Sequence, residues 1–314
     1  MTDIRSIVVF GASGNIGAAI VPSLLSAGLS VTVATRPGSS ASFSSGVKVA
    51  TTDYSQESLT SLLQNIDAVV SVVGPQGYTS QHAIIDAATV SGVKYFIPSE
   101  FGLDYTDPRI FNILPLFKVK NEVLEHLKRK EKEGLSWTGI VTGLWLDWGL
   151  PFGMFDVDLN AHKATIWDGG NTKFRVANVR DIAEAVTSLV LNPQVRQQAS
   201  NTIVHISSLE TTQNEVLEAA EKATGAKFDV THIESQTVWS DLQDKAARGD
   251  AGAIREVLTG STVSKQIPSQ IDEKADKWNA LLLNGKKEET VEETVKRIVK
   301  GDGPQGKWVT QNSS

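Results

Sequence analysis

Seven residues near the N-terminus, Gly11-Ala-Ser-Gly14-Asn-Ile-Gly17, hold three glycines at a spacing suited to gripping phosphate. The apolar, β-branched run at 7–10 precedes them, and apolar side chains at helical spacing follow over 16–27. The glycines therefore sit where a strand turns into a helix. In that setting Gly11 turns the chain tightly, Gly14 admits a ligand where a Cβ would collide, and Gly17 lets the helix pack close to the sheet. The first amides of a helix lack intrahelical acceptors and stand at the positive end of its dipole. A dinucleotide pyrophosphate is the expected ligand, with Gly11, Ser13, Gly14, Asn15, Ile16 and Gly17 as its cradle. A glycine-rich turn with no ligand is the plain alternative.

The residue closing the second expected strand (31–35) selects the dinucleotide. An acidic side chain there would accept from the ribose hydroxyls of NAD and repel a 2′-phosphate. This chain has Arg36, nineteen residues after Gly17. A guanidinium can clamp a phosphate and stack on adenine, so NADPH is the expected cofactor. Lys48 could add charge nearby. Asp53, after a short third strand (47–51), could bond the adenine amino group or simply form a turn. Ser99 and Glu100 follow the fifth strand (94–97), at the ligand edge of such a sheet. Ser99 could bond the nicotinamide or a substrate oxygen, while Glu100 suits a brace for the loop.

Other chemistries are excluded or disfavoured. There is no cysteine, so disulfides, thiolate metal ligands and cysteine nucleophiles are out. The five histidines, His82, His126, His162, His205 and His232, show no metal-binding spacing, and no metal is expected. A net charge of −6 speaks against a broad nucleic-acid surface. No apolar run has the length of a membrane span, and the one before the glycines is too short for a signal segment. The expected protein is cytoplasmic, with a small molecule as partner and neither nucleic acid nor membrane. A homodimer is left open.

Several further stretches carry a resemblance: Val69-Val-Ser-Val-Val-Gly74, Gln81, Val93-Lys-Tyr-Phe-Ile-Pro-Ser-Glu-Phe-Gly102, Lys120-Asn-Glu-Val-Leu-Glu-His-Leu127 and Val179-Arg-Asp-Ile-Ala-Glu-Ala-Val186. With the glycine loop and Arg36 they resemble the NmrA-like/isoflavone reductase-like family of atypical short-chain dehydrogenases, in a fungal-type form. The likeness runs through roughly the first 190 residues and fades in the C-terminal third. It implies NADPH-dependent reduction of small aromatic, often phenolic, molecules, with Val73, Gly74, Gln81 and Ser99 beside the cofactor. It also implies an active-site lysine written K-x-x-[VI]-x-x-x-[IL], which Lys120, Val123 and Leu127 match. Lys118 matches less well, since Asn121 stands three residues on. The tyrosine that ordinary short-chain dehydrogenases place four residues before the lysine is absent, because position 116 is Leu. A lysine here can orient the nicotinamide ribose and exchange a proton with substrate or water. A solvated lysine among Lys118, Lys128, Lys130 and Lys132 is the bland alternative.

The substrate side is expected after the sixth strand (137–141). Trp145, Trp148, Phe152 and Phe155 would form an aromatic wall suited to flat apolar ligands, or a core cluster joining two regions. Plant relatives carry a bulky aromatic at the position of Trp145 and an Asn where this chain has Gly143. Three functions are carried forward: an NADPH-dependent reductase of an aromatic or conjugated metabolite (phenolic, quinone or enone), a non-catalytic NADP-sensing regulator of the NmrA type, and an isomerase or dehydratase that uses bound cofactor transiently.

The elements that must position these residues alternate. Strands are expected at 7–10, 31–35, 47–51, 68–73, 94–97 and 137–141, with helices at 16–27, 56–63, 82–91 and 121–133. That alternation predicts an α/β fold: a Rossmann-type doubly wound parallel sheet with a smaller C-terminal substrate-binding region. Residues 1–150 form the expected cofactor domain and 151–314 the substrate region, with segments near 175–206 returning to the first. A loop is expected at 150–158, a strand at 202–206, helices at 180–191, 214–224, 238–249 and 289–300, and a loose tail from Gly301.

Overall fold

The computed structural model describes residues 3–267, 273–284, 286 and 288–304. Its centre is a seven-stranded sheet, parallel throughout. The strands are β1 (Ser6–Phe10), β2 (Ser30–Thr35), β3 (Lys48–Thr51), β4 (Ala68–Ser71), β5 (Tyr95–Ile97), β6 (Ser136–Val141) and a late strand, Thr202–His205. Across the sheet they run β3, β2, β1, β4, β5, β6 and then Thr202–His205. From β1 the chain winds first one way, through β2 and β3, and then crosses to β4 and winds the other. The reversal opens a crevice beyond the carboxyl ends of β1 and β4, where ligands of such sheets bind.

Period-two alternation sends apolar side chains of the central strands into both faces of the sheet. On β1, Val8 and Phe10 enter one hydrophobic core while Ile7 and Val9 enter another. Both faces are covered, so most buried strand positions are apolar; Ser71 on β4 is an exception, its hydroxyl buried without a hydrogen-bond partner. Helices α1 (Gly17–Ser26), α2 (Gln56–Leu62) and α3 (Gln81–Val90) make the crossovers. The helix Leu116–Lys130 returns the chain to β6 and buries Phe117, Lys120, Val123, Leu124 and Leu127 along one stripe.

After β6 the chain builds a second region and then comes back. Three short strands, Asp229–Ile233, Lys163–Trp167 and Val157–Asp158, form one small sheet, and Leu209–Thr212 pairs with Lys173–Val176 in another. Thr202–His205 returns to the main sheet, with Thr202 opposite Thr138 and His205 opposite Val141. The helix Val179–Leu191 lies on α1, where Ser23 Oγ and Thr187 Oγ1 are 2.7 Å apart.

Three departures from expectation bear on the site. β4 stops at Ser71 rather than 73, because the chain peels away to pass Gly11. The lysine helix begins at Leu116 rather than 121, so Lys120 lies inside it. The segment 150–158 is two short helical turns and a strand rather than a loop. The helices Ala251–Val263 and Glu273–Leu282 were not expected. Of the expected tail, residues 305–314 lie outside the described residues. Among the described residues no helix is long and apolar enough to cross a membrane, and no cluster could hold a metal ion.

Candidate active site

Gly11 adopts φ +80°, and a Cβ there would lie 2.5 Å from the carbonyl oxygen of Val72. Only glycine lets the chain leave β1 so close to the exit of β4. The Gly14 amide donates to the Gly11 carbonyl at 2.9 Å and closes the turn. Gly17 acts differently from expectation. A Cβ there would stand 2.5 Å from Gly11 O and 2.6 Å from Ala12 O, so the missing side chain seats α1 against the loop itself, not the sheet. α1 opens with no side-chain cap and no acidic residue in its first turn, which leaves its positive end to an anion. Ser13, Gly14 and Asn15 are exposed; the Ile16 side chain is buried in the core, so Ile16 has only its backbone to offer.

A cleft of about 570 Å³ runs from Gly11 and Ser13 past Arg36 and Tyr54 to Val73 and Gly74. Arg36 is exposed on its rim. Asp53 does not line it. Its Oδ1 accepts from the Ser55 amide at 2.9 Å and from Ser55 Oγ at 2.7 Å, and these bonds hold its carboxyl below the usual range. The turn-forming role expected as its alternative is the one it has, because Ser55 caps α2 directly after it. Tyr54, at φ +65°, takes the cleft position instead, its ring 6.0 Å from that of Phe10. Gln81 and Ser99 form a brace: the Ser99 amide donates to Gln81 Oε1 at 2.9 Å, and Ser99 Oγ donates to the Val73 carbonyl at 2.7 Å. Both are buried, so the Ser99 hydroxyl ties the loops after β4 and β5 together rather than facing a ligand freely.

Burial separates the two lysine candidates. Lys118 is exposed, whereas Lys120 is 4% exposed. Lys120 Nζ donates to the backbone carbonyl of Glu100 at 2.7 Å and lies 3.6 Å from Glu100 Oε2. The rings of Tyr78 and Tyr105 flank it, with centroids 5.5 and 5.7 Å from Nζ. A cation in such a cage is held by the negative faces of the rings as well as by oxygen. Glu100 is fully buried, and its Oε1 accepts from the Tyr105 hydroxyl at 3.0 Å. Burial pushes the Glu100 carboxyl above the ordinary range; the Lys120 ammonium and the Tyr105 hydroxyl pull the other way. Beside this group, His205 Nε2 meets Asp104 Oδ2 at 2.7 Å, both side chains buried. Burial alone would raise Asp104, but His205 and Thr106 hold it below its usual value.

The expected aromatic wall divides. Trp145, Trp148 and Phe152 form a chain of rings with centroids 5.6 and 5.2 Å apart. Phe152 is half exposed, and the buried indole N–H of Trp148 has no hydrogen-bond partner. Phe155 belongs elsewhere. It is fully buried and stacks on Phe174 at 5.9 Å, so it is a core ring, and the expected pocket loses it. Sequence reasoning missed Tyr54, Tyr78 and Tyr105. Tyr54 and Tyr105 stand in loops and Tyr78 in a short 3-10 helix, Pro75–Ser80, and no spacing marked them. The Glu100 contact with Lys120 was also missed, since twenty residues separate the two in the chain.

A family model described as "NmrA-like family" matches residues 4–293. Oxidoreductase poxI of Penicillium oxalicum is 30% identical over 293 residues, spanning 92% of this chain and 92% of that protein. Among solved structures, the binary complex of leucoanthocyanidin reductase with NADPH from Vitis vinifera matches with a TM-score of 0.73 at 20% identity, covering 94% of this chain and 99% of that one. AtPrR2 with NADP+ and (+)pinoresinol matches with a TM-score of 0.70 at 21% identity, covering 95% and 100%.

Proposed function

The chain belongs to the NmrA-like family, and from that premise we propose that it is an NADPH-dependent reductase of a small aromatic or conjugated metabolite. The observation that carries the proposal is Lys120, a lysine taken out of solvent and caged between two tyrosines at the carboxyl edge of the sheet. A merely solubilising lysine would lie on the outside of its helix, as Lys118 does.

The residues suit the cofactor. The backbone at 11–17 and the uncapped start of α1 receive the pyrophosphate, in a cradle that a Cβ at Gly11 or Gly17 would fill. Arg36 receives the 2′-phosphate on the rim of the cleft, beside Tyr54. Val73 and Gly74 line the path toward the nicotinamide, and the Gln81–Ser99 brace fixes the loops that carry them. When bound, NADPH supplies a hydride from its nicotinamide ring. Lys120 orients the ribose and moves the proton that must accompany the hydride. Trp145, Trp148 and Phe152 present the face for a flat substrate. In this division of labour residues 1–150 hold the cofactor, and most of the remainder shapes the substrate side.

The test is NADPH oxidation against quinones, enones and phenolic allylic compounds, with Lys120→Met alongside wild type. At least one class should turn over. Lys120→Met should lose about a hundredfold or more in kcat, the usual weight of a general acid or base, while NADPH still binds. NADPH binding without turnover on any acceptor would instead favour the NADP-sensing regulator.

A further inference from the structure

Lys120 is enclosed, and a buried ammonium is tolerated only beside a compensating charge. The groups around it come from several elements. The loop after β5 gives Glu100, Asp104 and Tyr105; the turn after β4 gives Tyr78; Thr202–His205 gives His205, which engages Asp104; Glu125 on the lysine helix adds its field at Tyr105. Among the described residues, one carboxylate stands within ion-pair distance of Nζ, that of Glu100 at 3.6 Å. Its two oxygens are used unequally. Oε1 is fixed by the Tyr105 hydroxyl, while Oε2, the oxygen nearest the lysine, is buried with no hydrogen-bond partner.

Space for this carboxylate is built into the sheet. Gly139 lies in the middle of β6, and a Cβ there would be 3.3 Å from Glu100 Cγ and 3.2 Å from Ile203 Cγ1. Glycine weakens a strand interior and often marks a close approach of another group. Here the groups that approach are Ile203 and the stem of Glu100.

We propose that Glu100 is the positioning residue of Lys120: its Oε2 is the counter-ion that keeps the lysine charged inside the tyrosine cage, and Tyr105 locks that carboxylate in place. This deepens the reductase reading and rests on it. Asp104 is already engaged with His205 and Thr106, so it does not substitute for Glu100.

The experiment has two arms. In the first, Glu100→Gln keeps an acceptor for Tyr105 and removes the charge. The kcat should fall at least about tenfold at neutral pH, and the alkaline limb of the kcat–pH profile should move down by at least about one unit, the scale expected for losing a charge at this range. The Kd for NADPH should stay within about twofold, and Glu100→Asp should restore part of the profile. A wild-type kcat and profile in Glu100→Gln would overturn the proposal. The second arm needs no turnover. In Lys120→Met, burial is no longer opposed by the lysine, so the Glu100 carboxyl should move further above its ordinary range and toward its protonated form. Its carboxylic C=O stretch should appear by infrared difference and vanish in the Lys120→Met/Glu100→Gln double variant. Absence of that band in a folded Lys120→Met protein would overturn the counter-ion role. If wild type reduces no acceptor, the reductase reading fails, and the infrared arm still decides the pair.

Discussion

Gly17→Ala sets two rules against each other. In an open helix the change would favour folding by about 1 kcal/mol, because alanine has the better helix propensity. Here the new Cβ would stand 2.5 Å from Gly11 O and 2.6 Å from Ala12 O. Both obstacles are backbone and cannot rotate away, so the start of α1 must retreat from the loop by about 0.5 Å or more. Overpacking of this kind costs about 1–3 kcal/mol, which outweighs the propensity gain. The net expectation is a loss of up to about 2 kcal/mol, a fall of up to a few degrees in Tm for a chain of this length. Cofactor affinity should suffer more. The displaced amides are those proposed to meet the pyrophosphate, and hydrogen bonds to charged groups contribute about 1.5–3 kcal/mol each. Losing the equivalent of one raises the Kd for NADPH at least about tenfold. Thermal melts and fluorescence titration measure both, with Gly74→Ala as the control. Gly74 lies in the same cleft at φ −75°, with nothing within 4 Å of an added Cβ, and should stay close to wild type in stability. A Gly17→Ala protein that melts at or above wild type and binds NADPH as tightly would refute the steric argument.

Arg36→Ala should raise the Kd for NADPH about tenfold to a hundredfold while leaving NADH nearly unchanged, as expected for one charge-assisted phosphate contact; an unaltered NADPH-to-NADH ratio would remove Arg36 from the site. Because Arg36 is exposed, its contribution should shrink as salt rises. Away from the site, burial alone would raise the Asp67 carboxyl, but Lys94 Nζ and the amides of Arg5 and Ser6 outweigh it and hold the folded value well below the usual one. A depressed carboxylate stabilises the fold above its unfolded pKa and loses that contribution as pH falls through the lower folded value. Asp67→Asn should therefore cost about 1–3 kcal/mol in neutral urea melts and progressively less in acid; a deficit independent of pH would contradict this.

The site was legible where its chemistry is local. Gly11, Gly14 and Gly17 lie within one turn, and their conformations follow from short-range contacts that the spacing encodes. Arg36 was legible because strand length ties it to the loop. Lys120 could be separated from Lys118 by motif, and burial gives the physical ground for the choice. What surrounds Lys120 was not legible, since Tyr78 and Glu100 reach it from separate segments that follow different strands. Phe155 shows the same limit: an aromatic residue in an apolar run looks alike as pocket wall and as core, and only its stacking on Phe174 decides. In the second region the strand Asp229–Ile233 is mostly exposed and carries no apolar alternation. The helix Ala251–Val263 was hidden by Gly260, whose place inside it is needed because Trp239 and Trp167 pack there, 2.8 and 3.1 Å from an added Cβ.

The late return of Thr202–His205 to the sheet also sets a schedule for synthesis. β6 is complete at Val141, yet the strand that satisfies its free side is made some sixty residues later. At about 5–20 residues per second, a nascent chain carries that apolar strand with an open hydrogen-bonding edge for several seconds. An edge of this kind is a template for pairing with other chains. The hazard during production of this protein is therefore concentrated in one interval of translation, and it closes when His205 comes into register beside Val141.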